Sequence, residues 1–200
     1  MDRNGRSGGG SGAGRERILK AALDVFSARG FRAGSLNDIA EAAGLTRAGL
    51  LHYYPNKQAV LLALLEQRDA ELHVVQPDLG LTLLEILENL DAFTAQVVGD
   101  RALVQLAHIL TAEASGEEHP AREWVARRYA TLRGVLADAV RRSIAAGELR
   151  ADVDPEVFAA LVLAVGEGAE NQWLVNPETV DPVMVTRQLR LLCEAARPRP

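Results

Sequence analysis

Between residues 35 and 57 the chain sets two hydroxyls (Ser35, Thr46), a guanidinium (Arg47), an imidazole (His52), a phenol (Tyr53) and an ammonium (Lys57) at helical spacings. These are hydrogen-bond donors and cations, suited to gripping an anionic, donor-and-acceptor-lined partner. Ser35 is placed to cap a short helix whose apolar residues Leu36, Ile39, Ala40 and Ala43 recur on one face. Gly44 stands where the chain must leave that helix through a left-handed conformation, and Thr46 follows as the N-cap of the next helix. Two helices joined by a turn of about 3–4 residues at a steep angle present the second one to a DNA major groove, its N-terminal residues nearest the base edges. Arg47, Ala48 and Gly49 occupy that end. A guanidinium there can bond O6 and N7 of guanine together, a contact worth about 1–3 kcal/mol of discrimination. It can equally hold a phosphate, and both uses stay open for Arg47.

The elements around this pair are helical throughout. From Arg15 to Arg29 the residues Ile18, Leu19, Ala22, Leu23, Val25 and Phe26 keep the helical period until Gly30 ends it, which supplies a third wall for the helix pair. Residues 1–14, MDRNGRSGGGSGAG, have no apolar period and read as a disordered tail. Its Arg3 and Arg6 either reach a minor groove or simply solubilise. After Pro55, Lys57 to Val75 predicts one long helix that stops near Pro77. Further helical periods run over 81–98, 102–114, 121–146, 155–175 and 182–196. Asp154-Pro155 and Asp181-Pro182 each put a capping carboxylate before a proline at the first helical position. The expectation is an all-α chain of nine helices. Its parts are a tail (1–14), a helix-turn-helix head (15–57) and a larger ligand-binding and dimerisation bundle (58–200).

Composition narrows the function classes. The chain has 200 residues, 48% hydrophobic but only 4% aromatic, so Ala, Leu and Val must build its core. The net charge of −5 argues against a nucleic-acid partner until its distribution is considered. Residues 1–57 hold nine basic and five acidic side chains, and residues 58–200 hold thirteen and twenty-two. A head at +4 on a body at −9 suits a DNA-binding domain joined to one that does not bind DNA. The one cysteine, Cys193, precludes an intrachain disulfide and fits a reduced, cytoplasmic setting. No apolar run is long enough for a membrane span or a signal peptide. The four histidines, His52, His73, His108 and His119, are scattered, and HExxH, CxxC and a nucleophile elbow are absent. Neither catalysis, nor a metal, nor a cofactor is expected.

Over Arg15 to Glu66 the sequence resembles the N-terminal domain of the TetR (AcrR-type) family of transcriptional regulators. The resemblance rests on ILKAALDVFSARGF followed by SLNDIAEAAGLTRAGLLHYYPNKQAVLLALLE, in that order near the chain start. It implies an all-helical homodimer whose heads bind a palindromic double-stranded DNA operator, with a C-terminal domain that holds a small-molecule effector. It further implies that Ser35 and Thr46 donate to phosphates and that His52 and Tyr53 lie near sugar-phosphate or base edges. Ala48 sits at the recognition end, and Lys57 matches the family's phosphate-binding lysine. Tyr54 matches the buried aromatic, expected against Phe26, Leu23, Ile39 and Leu50. Leu51 departs from the family's tyrosine and cannot make its phosphate bond. Gly168, Gln172, Trp173 and Leu174 look like the penultimate-helix motif of one large subgroup.

In the body, an effector pocket is expected among the helices from Leu81 to Trp173. Candidates are the polar interruptions His108, Glu167 and Asn171 and the aromatics Phe93, Trp124 and Tyr129; core or surface roles compete for each. Val157, Leu161, Ala164, Val165 and Gly168 form one apolar face, and a similar one recurs over Val183 to Cys193. These last two helices, about 155–175 and 182–196, are expected to pair across a twofold axis, with intrachain core as the alternative. The implied activity is repression, released by a small hydrophobic or amphipathic ligand that favours one spacing of the heads. A helical interaction module that has lost DNA binding is the competing class.

Overall fold

The computed structural model describes residues 9–71, 80–116 and 118–197. Among these residues all regular structure is helical: α1 (Gly9–Ala33), α2 (Leu36–Ala42), α3 (Arg47–Tyr53), α4 (Lys57–Glu71), α5 (Leu83–Val98), α6 (Arg101–Glu113), α7 (Arg122–Ala145), α8 (Pro155–Val175) and α9 (Pro182–Glu194). None of these helices is long and apolar enough to cross a membrane. The chain divides into two compact units, residues 1–71 with 105–122, and residues 72–104 with 123–200. The first unit holds α1 to α4 together with a segment from the middle of the chain.

In the first unit, α1 turns Ile18, Leu19, Ala22 and Phe26 inward against α2 and α4. Ile39 and Ala40 of α2, Leu50 of α3 and Val60, Leu61, Leu64 and Leu65 of α4 are buried, as are Leu106 and Leu110 of α6. Each Leu, Ile or Phe so buried contributes about 1.5–3 kcal/mol, far more than intrinsic helix propensity supplies to the seven-residue helices α2 and α3. Two boundaries differ from expectation. First, α1 begins at Gly9, so the expected tail is helical from that residue onward, and residues 1–8 lie outside the described residues. The cause is tertiary: Gly14 is buried under Tyr53, and a Cβ there would lie 2.5 Å from the Tyr53 hydroxyl. Second, Gly30 kinks α1 (φ 74°, ψ 169°), and a further turn runs on to Ala33. The expected continuation of α4 to Val75 and its stop at Pro77 lie outside the described residues.

In the second unit, Leu83, Leu84, Leu87, Ala139, Val140, Leu149, Val162, Leu189 and Cys193 form one core. Both Asp-Pro starts behave as the sequence predicts. Asp154 Oδ1 accepts from the N–H groups of Glu156 and Val157 (3.0 and 3.1 Å), and Asp181 Oδ1 accepts from that of Val183 (2.9 Å). Thr82 and Glu85 form a reciprocal capping box at the start of α5. Buried Ser143 on α7 accepts from the Leu83 N–H (3.0 Å) and donates to Glu148 (2.9 Å), which fixes α5 on α7. The face expected to pair across a twofold axis is divided. Leu189 and Cys193 belong to the intrachain core, whereas Val157 (57%), Leu161 (54%), Leu191 (50%) and Leu192 (68%) are exposed.

Candidate nucleic-acid interface

The turn between α2 and α3 is closed by the backbone itself. Gly44, at φ 66°, lets Leu45 N–H reach the Ala40 carbonyl (2.8 Å) and Gly44 N–H reach that of Glu41 (3.0 Å). This is the Schellman pattern, which satisfies the last carbonyls of α2 and fixes the angle at which α3 departs. Thr46 Oγ1 accepts from the Gly49 N–H (3.0 Å), and its hydroxyl proton stays available for an outside acceptor. Thr46, Arg47 and Ala48 are exposed, while Leu50 on the opposite face is buried completely. Arg47 has no ion pair or hydrogen bond among the described residues. His52 is exposed and meets half-buried Tyr53 edge-on, with ring centroids 5.8 Å apart. Leu51, at 39%, presents an apolar side chain to the same solvent. Tyr54 is half-buried, and burial pushes its phenol pKa up.

Two of the residues expected to meet phosphate, Ser35 and Lys57, also have partners inside the protein. Ser35 accepts from the Asp38 N–H (3.2 Å) while its hydroxyl donates to Asp38 Oδ2 (2.5 Å), and its own N–H donates to the same oxygen (3.0 Å). Its donor is therefore spent on a capping box. The bonds from Ser35, aided by Arg29 at 3.0 Å, hold the Asp38 carboxyl below the usual carboxylate range. Lys57 Nζ donates to the carbonyls of Phe31 (2.7 Å), Gly34 (2.8 Å) and Arg32 (3.3 Å) and lies 4.3 Å from the centroid of the Phe31 ring. An ammonium has three protons, and all three point at protein. In this arrangement the side chain caps the end of α1.

Around Phe31 lie residues that no motif announces. Glu113, the last residue of α6, accepts from the Phe31 N–H (3.2 Å) and stands 3.3 Å from Nε2 of buried His119, close enough to pair electrostatically without a well-formed hydrogen bond. The imidazole meets the Phe31 ring edge-on at 5.2 Å. Ala121 N–H donates to His119 Nδ1 (3.2 Å), so the neutral ring keeps its proton on Nε2. Burial lowers the His119 pKa from 6.5, with Arg32 and Lys57 acting the same way and Glu113 opposing. Below pH 6.5 the unfolded chain takes up a proton that the native ring refuses, so stability falls with pH until the folded pKa is passed. Urea midpoints measured across that window are expected to drop more steeply for the wild type than for His119→Gln. Equal slopes would remove His119 from the account.

The expected effector contacts are dispersed. His108 belongs to the first unit, whereas Phe93, Trp124, Tyr129, Glu167 and Asn171 belong to the second. Of these, Tyr129 and Glu167 meet: the phenol donates to Glu167 Oε1 at 2.5 Å, joining α7 to α8. Exposed Asn171 donates back to the Glu167 carbonyl (3.1 Å), Phe93 is exposed, and half-buried Trp124 lies beneath the Arg128 guanidinium. A hollow of about 490 Å³ in the second unit is lined by Leu84, Glu85, Glu88, Gly147, Glu148 and Arg197, none of them an expected contact.

Known proteins match both parts of the chain. Residues 18–64 fit the family profile described as "Bacterial regulatory proteins, tetR family", and residues 106–181 fit "Tetracyclin repressor-like, C-terminal domain". The HTH-type transcriptional regulator RutR of Escherichia coli strain K12 is 47% identical over 53 residues, 26% of this chain and 25% of RutR. The chain thus matches about a quarter of that relative's length. UidR of the same strain, also an HTH-type transcriptional regulator, is 25% identical over 158 residues, 77% of this chain and 78% of UidR. The solved SmeT–triclosan complex superposes with a TM-score of 0.70 at 25% identity, over 90% of each chain; SmeT is the repressor of a Stenotrophomonas maltophilia multidrug efflux pump. With head and body matched in the same order, on a fold whose recognition end faces solvent, the chain belongs to the TetR family of bacterial regulatory proteins.

Proposed function

We propose that this chain is a cytoplasmic, non-enzymatic repressor that binds a palindromic operator as a homodimer and releases it on binding a small hydrophobic or amphipathic effector. One observation carries the DNA-binding part: Thr46, Arg47 and Ala48 stand exposed at the start of a helix whose other face is anchored by buried Leu50 and whose approach is fixed by the Gly44 turn. Arg47 reads a base edge or holds a phosphate. Thr46 donates its hydroxyl proton to a phosphate, and His52 and Tyr53 flank the same strand. Ser35 contributes chiefly by capping α2. The effector part draws support from SmeT, whose complex holds triclosan. Within this chain the Tyr129–Glu167 pair is the best polar anchor for such a ligand.

The dimer in this reading uses the exposed apolar residues of α8 and α9, above all Val157, Leu161, Leu191 and Leu192. A twofold pairing buries them and spaces two recognition helices by one or more turns of DNA. Arg47→Ala separates direct readout from simple charge. If Arg47 reads guanine, the variant loses about 1–3 kcal/mol at one base position of the operator and tolerates any base there. This is checked by competition anisotropy with single-position operator variants selected from the chain's own promoter region. An unchanged base preference together with a shallower salt dependence would assign Arg47 to phosphate instead.

A further inference from the structure

We propose that Leu51 is a specificity-determining residue that reads a thymine in the operator, by setting its side chain against the C5-methyl group in the major groove. The inference rests on the DNA-binding reading above. Among the described residues of the first unit, Leu51 is the one large apolar side chain left exposed, at 39%, while its neighbour Leu50 is wholly buried. A single exposed leucine is ordinary in itself. Its place on α3 is what counts. Leu51 stands four residues after Arg47 and three after Ala48, so the three share one side of the helix, and all three are exposed. A helical side chain leans back over the turn before its own Cα, which carries Leu51 toward Ala48 and Arg47. Arg47 thus brings a cation and its donors, and Leu51 with Ala48 sets an apolar patch beside them.

What such a patch can recognise in a duplex is narrow. Leucine has no donor to offer a phosphate or a base edge, and pressed against a phosphate it would strip away water without replacing a hydrogen bond. The thymine methyl is the apolar group that the major groove displays, and it sets T·A apart from the other pairs. Contact between that methyl and Leu51 removes apolar surface from water on both partners. Side chains four residues apart on a helix are separated by about 5–6 Å, and successive base pairs by about 3.4 Å. The thymine that Leu51 reads therefore lies within two base pairs of the nucleotide that Arg47 contacts.

The test uses the full-length wild type, Leu51→Ala, Leu51→Met and Ala48→Gly, with a duplex that the wild type selects from a random-sequence pool. Each thymine of that duplex is replaced in turn by uracil, which keeps O4 and the pairing edge and lacks only the methyl. The proposal predicts one thymine in each half-site whose replacement weakens wild-type binding by about fourfold, the worth of one buried methyl-sized group. Leu51→Ala is expected to bind the thymine and uracil duplexes alike. Leu51→Met, still apolar and of similar size, and Ala48→Gly are expected to keep the preference.

A wild type indifferent to uracil at every position overturns the proposal, and so does a preference that Leu51→Ala retains. A preference lost in Ala48→Gly but kept in Leu51→Ala moves the contact to Ala48 and overturns it as well. Should Leu51→Ala fail to fold, Leu51→Gln serves in its place, since glutamine keeps the length and the helix propensity while removing the apolar end. The uracil scan of the wild type alters only the DNA and stands whatever the variants do. A wild type that selects no duplex at all removes the DNA-binding reading and this inference with it, an outcome distinct from a selected duplex whose methyl groups are all dispensable.

Discussion

The double substitution Leu161→Glu, Leu192→Glu is expected to convert the protein to monomers and to lower operator affinity by a factor on the order of 10²–10⁴, the avidity lost when two linked binding modules act separately. Leu161 is 54% and Leu192 68% exposed, so neither carboxylate disturbs the core of its own chain. Across a twofold axis each substitution appears twice, and burying four unpaired charges outweighs the apolar area such an interface removes from water. Sedimentation gives the oligomeric state and anisotropy with the operator gives the affinity. The circular dichroism of the variant is expected to match that of the wild type. A wild type that sediments as a monomer, or a monomeric variant with wild-type operator affinity, refutes the twofold arrangement on these helices.

The second large effect is expected at Gly30. Its backbone (φ 74°, ψ 169°) lies in a region that only glycine occupies readily, and a Cβ there would stand 2.8 Å from Glu113 Oε1. Gly30→Ala therefore strains the backbone, or pushes Glu113 off the Phe31 N–H, at a cost of about 1–3 kcal/mol. Urea denaturation should show a lowered midpoint with an unchanged m-value, because the surface exposed on unfolding is the same. The double variant Gly30→Ala, Glu113→Ala discriminates between the two causes. Relief of the loss identifies the clash, and persistence identifies the backbone. A single variant as stable as the wild type would contradict both.

How far the sequence revealed the molecule depended on how local each determinant is. The Gly44 turn, the Thr46 cap and the two Asp-Pro helix starts are decided within a few residues, and each forms as its spacing predicts. Ser35 is legible as a cap, whereas the bond that takes its proton to Asp38, in the same tetrad, depends on a side-chain rotamer that residue type alone does not fix. Lys57 could not be read in this way, since its acceptors lie 23 to 26 residues upstream and only the fold brings them to it. The early start of α1 has a similar origin, because Gly14 looks like linker until Tyr53 is seen to cover it. Glu113 and His119 left no motif at all; each is a single polar residue whose meaning comes from Phe31. The face over Val183 to Cys193 was ambiguous from periodicity alone, and packing divides it between core and surface.

Cys193 is 1% exposed, and burial pushes its thiol up to about 11, so at neutral pH almost none of it is the thiolate that attacks electrophiles. The chain is thus a silent background for maleimide chemistry. A cysteine placed at Ala48 would accept a single dye or spin label per subunit without prior removal of the native thiol. Distances between two such labels in an assembled pair would then track the separation of the recognition helices directly, effector by effector.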